Sequence, residues 1–160
     1  MNVCARAAGR GDIDELLRLY ALLEEEMIPL EPVWPHADGL PSPESSALES
    51  LLDDPDTTVL VGEIDGVPTG MLIGRRESLA GRDGRLQVGS VRYVFTEPAA
   101  REVGVGEAMI EAYLAAERAA GVVLFDAHVT PGHRLTKNFF ESKGFSARSI
   151  VMHHDDRDDE

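Results

Sequence analysis

At 160 residues with 43% of them hydrophobic, the chain is sized for one domain that buries roughly two thirds of its unfolded surface. A formal net charge of -14 argues against a nucleic-acid backbone as partner, because phosphates call for a clustered basic surface; it mildly favours a cationic or amine substrate, and solubility also accounts for it. The lone cysteine, Cys4, excludes an intramolecular disulfide, no apolar run approaches the ~20 residues of a membrane span, and no apolar leader opens the chain, so the expected setting is the cytoplasm, with no membrane partner.

In chain order, a short apolar start leads to Asp12 and Glu15 at capping-box spacing, then to Ile13, Leu16, Leu17, Tyr20 and Leu23 at helical spacing, which predicts a first helix ending near Met27. Pro29, Pro32, Pro35, Pro41 and Pro43 then break regular structure, and Leu48, Leu51 and Leu52 mark a second, short helix before Pro55. Residues 57–63 and 67–75 read as strands joined by Asp65-Gly66, a tight hairpin turn. After a turn-rich stretch at 81–85, residues 86–96 read as a long central strand that stops at Pro98. Val105, Met109, Tyr113 and Ala116 set out an amphipathic helix over 104–120, which Gly121 ends. A buried strand is predicted over 122–128, a last helix over 134–143 closed by Gly144, and a final strand over 145–152. The fold class is α/β: a mixed, mainly antiparallel sheet flanked by helices. Residues 1–154 form the single domain, and residues 155–160 an acidic tail expected to be disordered.

The chemistry concentrates between the long strand and the amphipathic helix, in Arg101-Glu102-Val103-Gly104-Val105-Gly106. A helix N-terminus presents unpaired N–H donors and a partial positive charge. Glycines there let a pyrophosphate come close to the main chain, and Arg101 adds charge. An ordinary glycine-containing turn, or a loop for another phosphate ligand, has the same local sequence. A second segment, Asn138-Phe139-Phe140-Glu141-Ser142-Lys143-Gly144-Phe145, follows downstream.

Taken together, the early helices, the Asp65-Gly66 hairpin, the R-x-x-G-x-G turn and the F-F-E-x-x-G-F segment resemble, in order and over nearly the whole chain, the GNAT superfamily of N-acetyltransferases. The resemblance implies acetyl-CoA as co-substrate, seated where two parallel strands ending near Thr96 and His128 splay apart. It also implies that main-chain groups of Val94, Phe95 and Thr96 meet the pantetheine arm as an added strand would, one amide polarising the thioester carbonyl. Arg101, Glu102, Val103, Gly104, Val105, Gly106 and Glu107 would hold the pyrophosphate. His133, where many members have asparagine, would line the other side with Asn138 and Phe139. The implied reaction is direct transfer of acetyl to a primary amine of a small molecule or peptide, and the family makes a homodimer the expected assembly.

The residues for proton transfer depart from the family pattern. Phe140 stands where members have a tyrosine acid, and phenylalanine donates no proton; Ser90 stands where histone-type members have a glutamate base. His128, at the far lip of the splay and with an ordinary pKa near neutrality, is the first candidate base, and Glu97 at the strand end is the second. A core role for Tyr93 and a strand-capping role for His128 are the structural alternatives. Trp34 and His36, in the proline-rich segment, are candidate substrate contacts. His153 and His154 are adjacent and would point to opposite faces of a strand, so no metal site is expected. With both usual proton-transfer residues replaced, a CoA-binding sensor or interaction domain is the competing function.

Overall fold

Side-chain alternation along the sheet strands divides the apolar residues into two layers. Strand β2 (Thr57–Ile64) sends Val59 and Val61 to one face and Leu60 to the other, and β3 (Val67–Gly81) adds Met71 and Ile73 to the first and Leu72 to the second. Helices α1 (Ile13–Met27) and α2 (Glu44–Asp53) cover the first face through Leu16, Leu19, Leu23 and Leu48. Helix α3 (Val105–Ala119) covers the second through Val105, Met109, Ile110 and Tyr113, and α4 (Arg134–Ser142) adds Phe140. Strands β1 (Val3–Ala7), β4 (Gly84–Thr96) and β5 (Leu124–Ala127) complete one sheet of order β1-β2-β3-β4-β5, antiparallel throughout except for the parallel β4–β5 pair. The computed structural model describes residues 1–31 and 33–159; the predicted breaker Pro32 and the last tail residue Glu160 lie outside the described residues. Asp156–Asp159 form one 3-10 turn within the predicted acidic tail.

Several elements differ from the sequence reading. The apolar start is a sheet strand, β1, pairing Val3 with Ile64 through Ala7 with Leu60. Asp12 does not cap α1. Its carboxylate receives the Arg6 guanidinium at 2.7 and 2.8 Å and the Gly9 N–H at 2.8 Å, while Glu15 pairs with Arg18. The Arg6 guanidinium holds the Asp12 carboxyl down at about 2, and Arg6 also meets Glu63 on β2. The helix does begin at Ile13, but a β1–β2 ion-pair group competes successfully for the capping carboxylate. Asp65 and Gly66 have φ of 50° and 80°, the left-handed pair that a type I′ hairpin turn requires.

The predicted buried strand over 122–128 is shorter and lies at the sheet edge: Val123 is 81% and Leu124 41% exposed. The predicted final strand over 145–152 is not formed. Ile150, Val151 and Met152 are exposed, and no ladder joins that stretch to β5 among the described residues. Its described tie to β5 is ionic, Arg148 to Asp126 at 2.6 and 2.8 Å. β-propensity alone does not make a strand when no sheet partner supplies main-chain hydrogen bonds.

Helix α3 lies close on the sheet because glycines face it. A Cβ on Gly62 would lie 2.5 Å from Val105 Cγ1, and one on Gly74 would lie 2.4 Å from Tyr113 Cε2. Tyr113 is fully buried, so its ring has no exposed space to swing into. Gly74→Ala is expected to destabilise the protein by about 1–3 kcal/mol through overpacking, seen as a lower urea midpoint at unchanged m. An unchanged midpoint would mean that α3 does not bear on the sheet at this point.

Candidate active site

The parallel ladder between β4 and β5 runs from Val88 opposite Leu124 to Val91 opposite Ala127, and one more bond follows, from His128 N–H to the Val91 carbonyl at 3.1 Å. Beyond that point β4 continues to Thr96 paired with β3 alone. Glu97 N–H bonds back to Thr69 O at 2.9 Å, so by antiparallel alternation the main-chain groups of Val94 and Thr96 face the open side. A bulge shapes the same stretch: Ile73 opposes Tyr93 and Gly74 opposes Val91, leaving Arg92 as the extra residue. The bulge reverses the alternation of β4, so that Val91 packs on the α3 layer and Tyr93 on the α1 layer although they are two positions apart.

At the end of the open edge, a 3-10 turn over Pro98–Ala100 leads to Glu102 at φ 70° and Gly104 at φ 100°, the residue that precedes α3. Val105 is buried and anchors the turn in the core, while Val103 is 37% exposed. The first amides of α3 are thereby aimed at the loop, as unpaired donors carrying the positive end of the helix dipole. A Cβ on Gly106 would point between the Phe139 ring, 3.6 Å away, and Thr96 Oγ1, 3.7 Å away, so glycine keeps a gap between α4 and the edge of β4. Lys143 reaches Glu107 at 2.5 Å and holds that carboxyl below its ordinary range.

Beside this gap lies a cleft. Its walls are Leu23, Met27 and Trp34 on the α1 side, Arg92, Tyr93 and Val94 from β4, His128 and Thr130 after β5, and His133 and Thr136 at the start of α4. His128 Nε2 lies 3.0 Å from the hydroxyl of fully buried Ser90, and no described protein group bonds its Nδ1. Burial chiefly, and then the positive charge of Arg92, push the His128 pKa below its ordinary value, Arg148 adding to this and Glu77 and Asp126 opposing it; the ring is therefore neutral at pH 7.

The family model of the GNAT acetyltransferases matches residues 16–145. The chain belongs to the GNAT acetyltransferase family. Acetyl transfer is thus its chemistry, and the loop, open strand edge and cleft all fall within the matched region. Solved structures share the fold. The BH1408 protein from Bacillus halodurans superposes with a TM-score of 0.82 at 17% identity, covering 97% of this chain and 99% of that one. The aminoglycoside acetyltransferase AAC(6')-Ih from Acinetobacter baumannii gives 0.75 at 13% identity, with 96% and 97% covered. AAC(6')-Iy, solved with a bisubstrate analogue of CoA and acetylneamine, gives 0.76 at 18% identity, with 98% and 99% covered. No curated protein sequence matches the chain.

Within this GNAT fold the sequence-predicted residues scatter more than their order suggests. Thr96, Gly106 and Phe139 converge on the gap, and Val94, His128 and His133 on the cleft, while Phe95 is buried in the core under α1. Arg101 turns toward α1, its guanidinium bonding both oxygens of Glu26 at 3.0 and 3.2 Å and the Thr96 carbonyl at 3.0 Å, above the Phe95 ring. His133 meets the same Glu26 at 3.4 Å. Asn138 is exposed and is not among the cleft's walls. Glu97 pairs with Arg18 of α1 and does not line the cleft. Trp34 lines it, in edge contact with Tyr93, whereas His36 lines a separate depression with Val33, Ala37 and Arg157. Phe140 is buried between Phe139 and Phe145, so the position of the family tyrosine belongs to the core. No group of three metal-binding side chains occurs among the described residues.

Sequence reasoning missed Arg92 as a wall of the cleft and Ser90 as the partner of His128. Ser90 sits opposite Asp126 in the parallel register, and only that register reveals a residue thirty-eight positions from His128. A bulge has no sequence signal in this strand, so the direction of Arg92 was not available.

Proposed function

We propose that this GNAT protein transfers acetyl from acetyl-CoA directly to a primary amine held in the cleft. The observation that supports the reading is the open edge of β4 beyond Val91 and Ala127, with the Gly104 turn at one end and neutral His128 at the other. Acetyl-CoA supplies the activated thioester. Amides from Arg101 to Glu107 hold its pyrophosphate, the open-side main-chain groups of Val94 and Thr96 meet the pantetheine arm while Phe95 pairs with β3, and Phe139 and His133 close the far side. An amide on the open edge polarises the acetyl carbonyl. His128 removes the proton from the attacking amine through Nδ1, while Ser90 fixes the ring. Glu97 takes no part in this scheme because Arg18 occupies its carboxylate. Water protonates the leaving thiolate, the tyrosine position being filled by buried Phe140.

The protein is proposed to act in the cytoplasm as a homodimer, the exposed Ile150, Val151 and Met152 supplying apolar surface for a second copy. Buried Phe140 also favours a second reading, a CoA-binding domain with little turnover. Calorimetric titration of acetyl-CoA followed by thiol release against a panel of amines separates the two. Binding with amine-dependent release is the expected result; binding without release supports the sensor, and no binding overturns the assignment of the loop.

A further inference from the structure

Among the described walls of the cleft Arg92 is the one residue with a fixed charge, and none of them is a carboxylate. The carboxylates behind the walls are each engaged: Glu26 with Arg101 and His133, Glu31 with the Thr130 hydroxyl at 3.4 Å, Asp126 with Arg148, and Glu77 with Arg92 itself. Glu77 meets Arg92 Nε and Nη2 through a single oxygen, at 2.7 and 2.5 Å, and no described group bonds Nη1. Arg92 is also the extra residue of the β4 bulge, a position that re-aims a side chain out of the regular pleat. The same stretch of wall carries His128, close enough for the two charges to interact.

Resting on the acetyltransferase reading, we infer that the acceptor is an amine that also carries a carboxylate, of the class of free amino acids, and that Arg92 binds that carboxylate while the amino group faces His128. A planar guanidinium with an unbonded N–H pairs geometrically with a carboxylate, and the separation between an α-amino group and its carboxylate is short enough for one residue to hold the latter while its neighbour receives a proton from the former. A polycationic acceptor meets no unengaged carboxylate on the described walls and faces the Arg92 guanidinium instead.

The test compares matched acceptors. The protein amino acids and short ω-amino acids are each paired with their carboxamides, and both members are measured for binding to the CoA-saturated protein and for thiol release from acetyl-CoA, with the native protein and with Arg92→Gln. Native protein is expected to favour a carboxylate member by tenfold or more, the approximate worth of a charge-assisted hydrogen bond. Arg92→Gln is expected to abolish that preference while leaving acetyl-CoA affinity unchanged. Preference for the carboxamide, or a preference that survives Arg92→Gln, overturns the inference. A carboxylate preference seen in binding without thiol release upholds the recognition and overturns the transferase; thiol release with polycationic amines alone does the reverse.

Discussion

Replacing His128 with alanine is expected to lower kcat by about 10²–10⁴, the range that positioned general bases supply, with acetyl-CoA affinity kept. The expectation rests on the ring's place in the cleft, its hydrogen bond to Ser90 and its lowered pKa. Lowering sets the sign of the pH dependence. A histidine whose pKa lies below its ordinary value stays in the proton-accepting form as pH falls through 6.5, so kcat should hold there and decline only at lower pH, as the depressed pKa is crossed. Arg92 contributes to that depression, and Arg92→Gln should therefore move the acid limb upward. Ser90→Ala removes the partner of Nε2 without touching the acceptor; it should lower kcat by less than His128→Ala does, with little change in KM. Loss of a strand-capping histidine that serves only structure would lower stability and leave kcat per folded molecule unchanged. That outcome would remove His128 from the mechanism.

What could be read from the sequence follows how local each determinant is. The turn ahead of α3 was legible because left-handed Gly104, the stop at Pro98 and the helical spacing of Val105, Met109 and Tyr113 all sit within one short stretch. Asp65-Gly66 was legible for the same reason. Asp12 misled because its carboxylate is claimed by Arg6, a residue of a strand that pairs with β2 far along the chain. The stretch over 145–152 misled in the opposite way: its β-branched residues suit a strand, but the sheet offers them no ladder. The cleft was half legible. His128 and Trp34 could be named from their places in the order of elements, whereas Ser90, Arg92 and the engagement of Glu97 by Arg18 depend on register, a bulge and the docking of α1. None of these has a local signature.

Gly106 offers the sharpest separation between holding the fold and holding the co-substrate. It occupies the second position of α3, where glycine costs up to about 1 kcal/mol relative to a good helix former, and its φ lies outside the left-handed region, so the backbone does not require it. A Cβ there would make ordinary contacts at 3.6 Å with Phe139 and 3.7 Å with Thr96 Oγ1. Packing does not require glycine either; the gap it keeps open does. Gly106→Ala is therefore expected to leave the thermal midpoint unchanged or raise it, whereas the longer side chain of Gly106→Leu fills the space between α4 and the β4 edge at some cost in packing. Displacing a pyrophosphate from two amides at about 1.5 kcal/mol each weakens acetyl-CoA binding by about a hundredfold. Gly106→Leu should show that loss in full and Gly106→Ala a smaller one. A folded Gly106→Leu protein that still binds acetyl-CoA normally would place the co-substrate elsewhere on the protein, because nothing passing this gap could tolerate a leucine side chain in it.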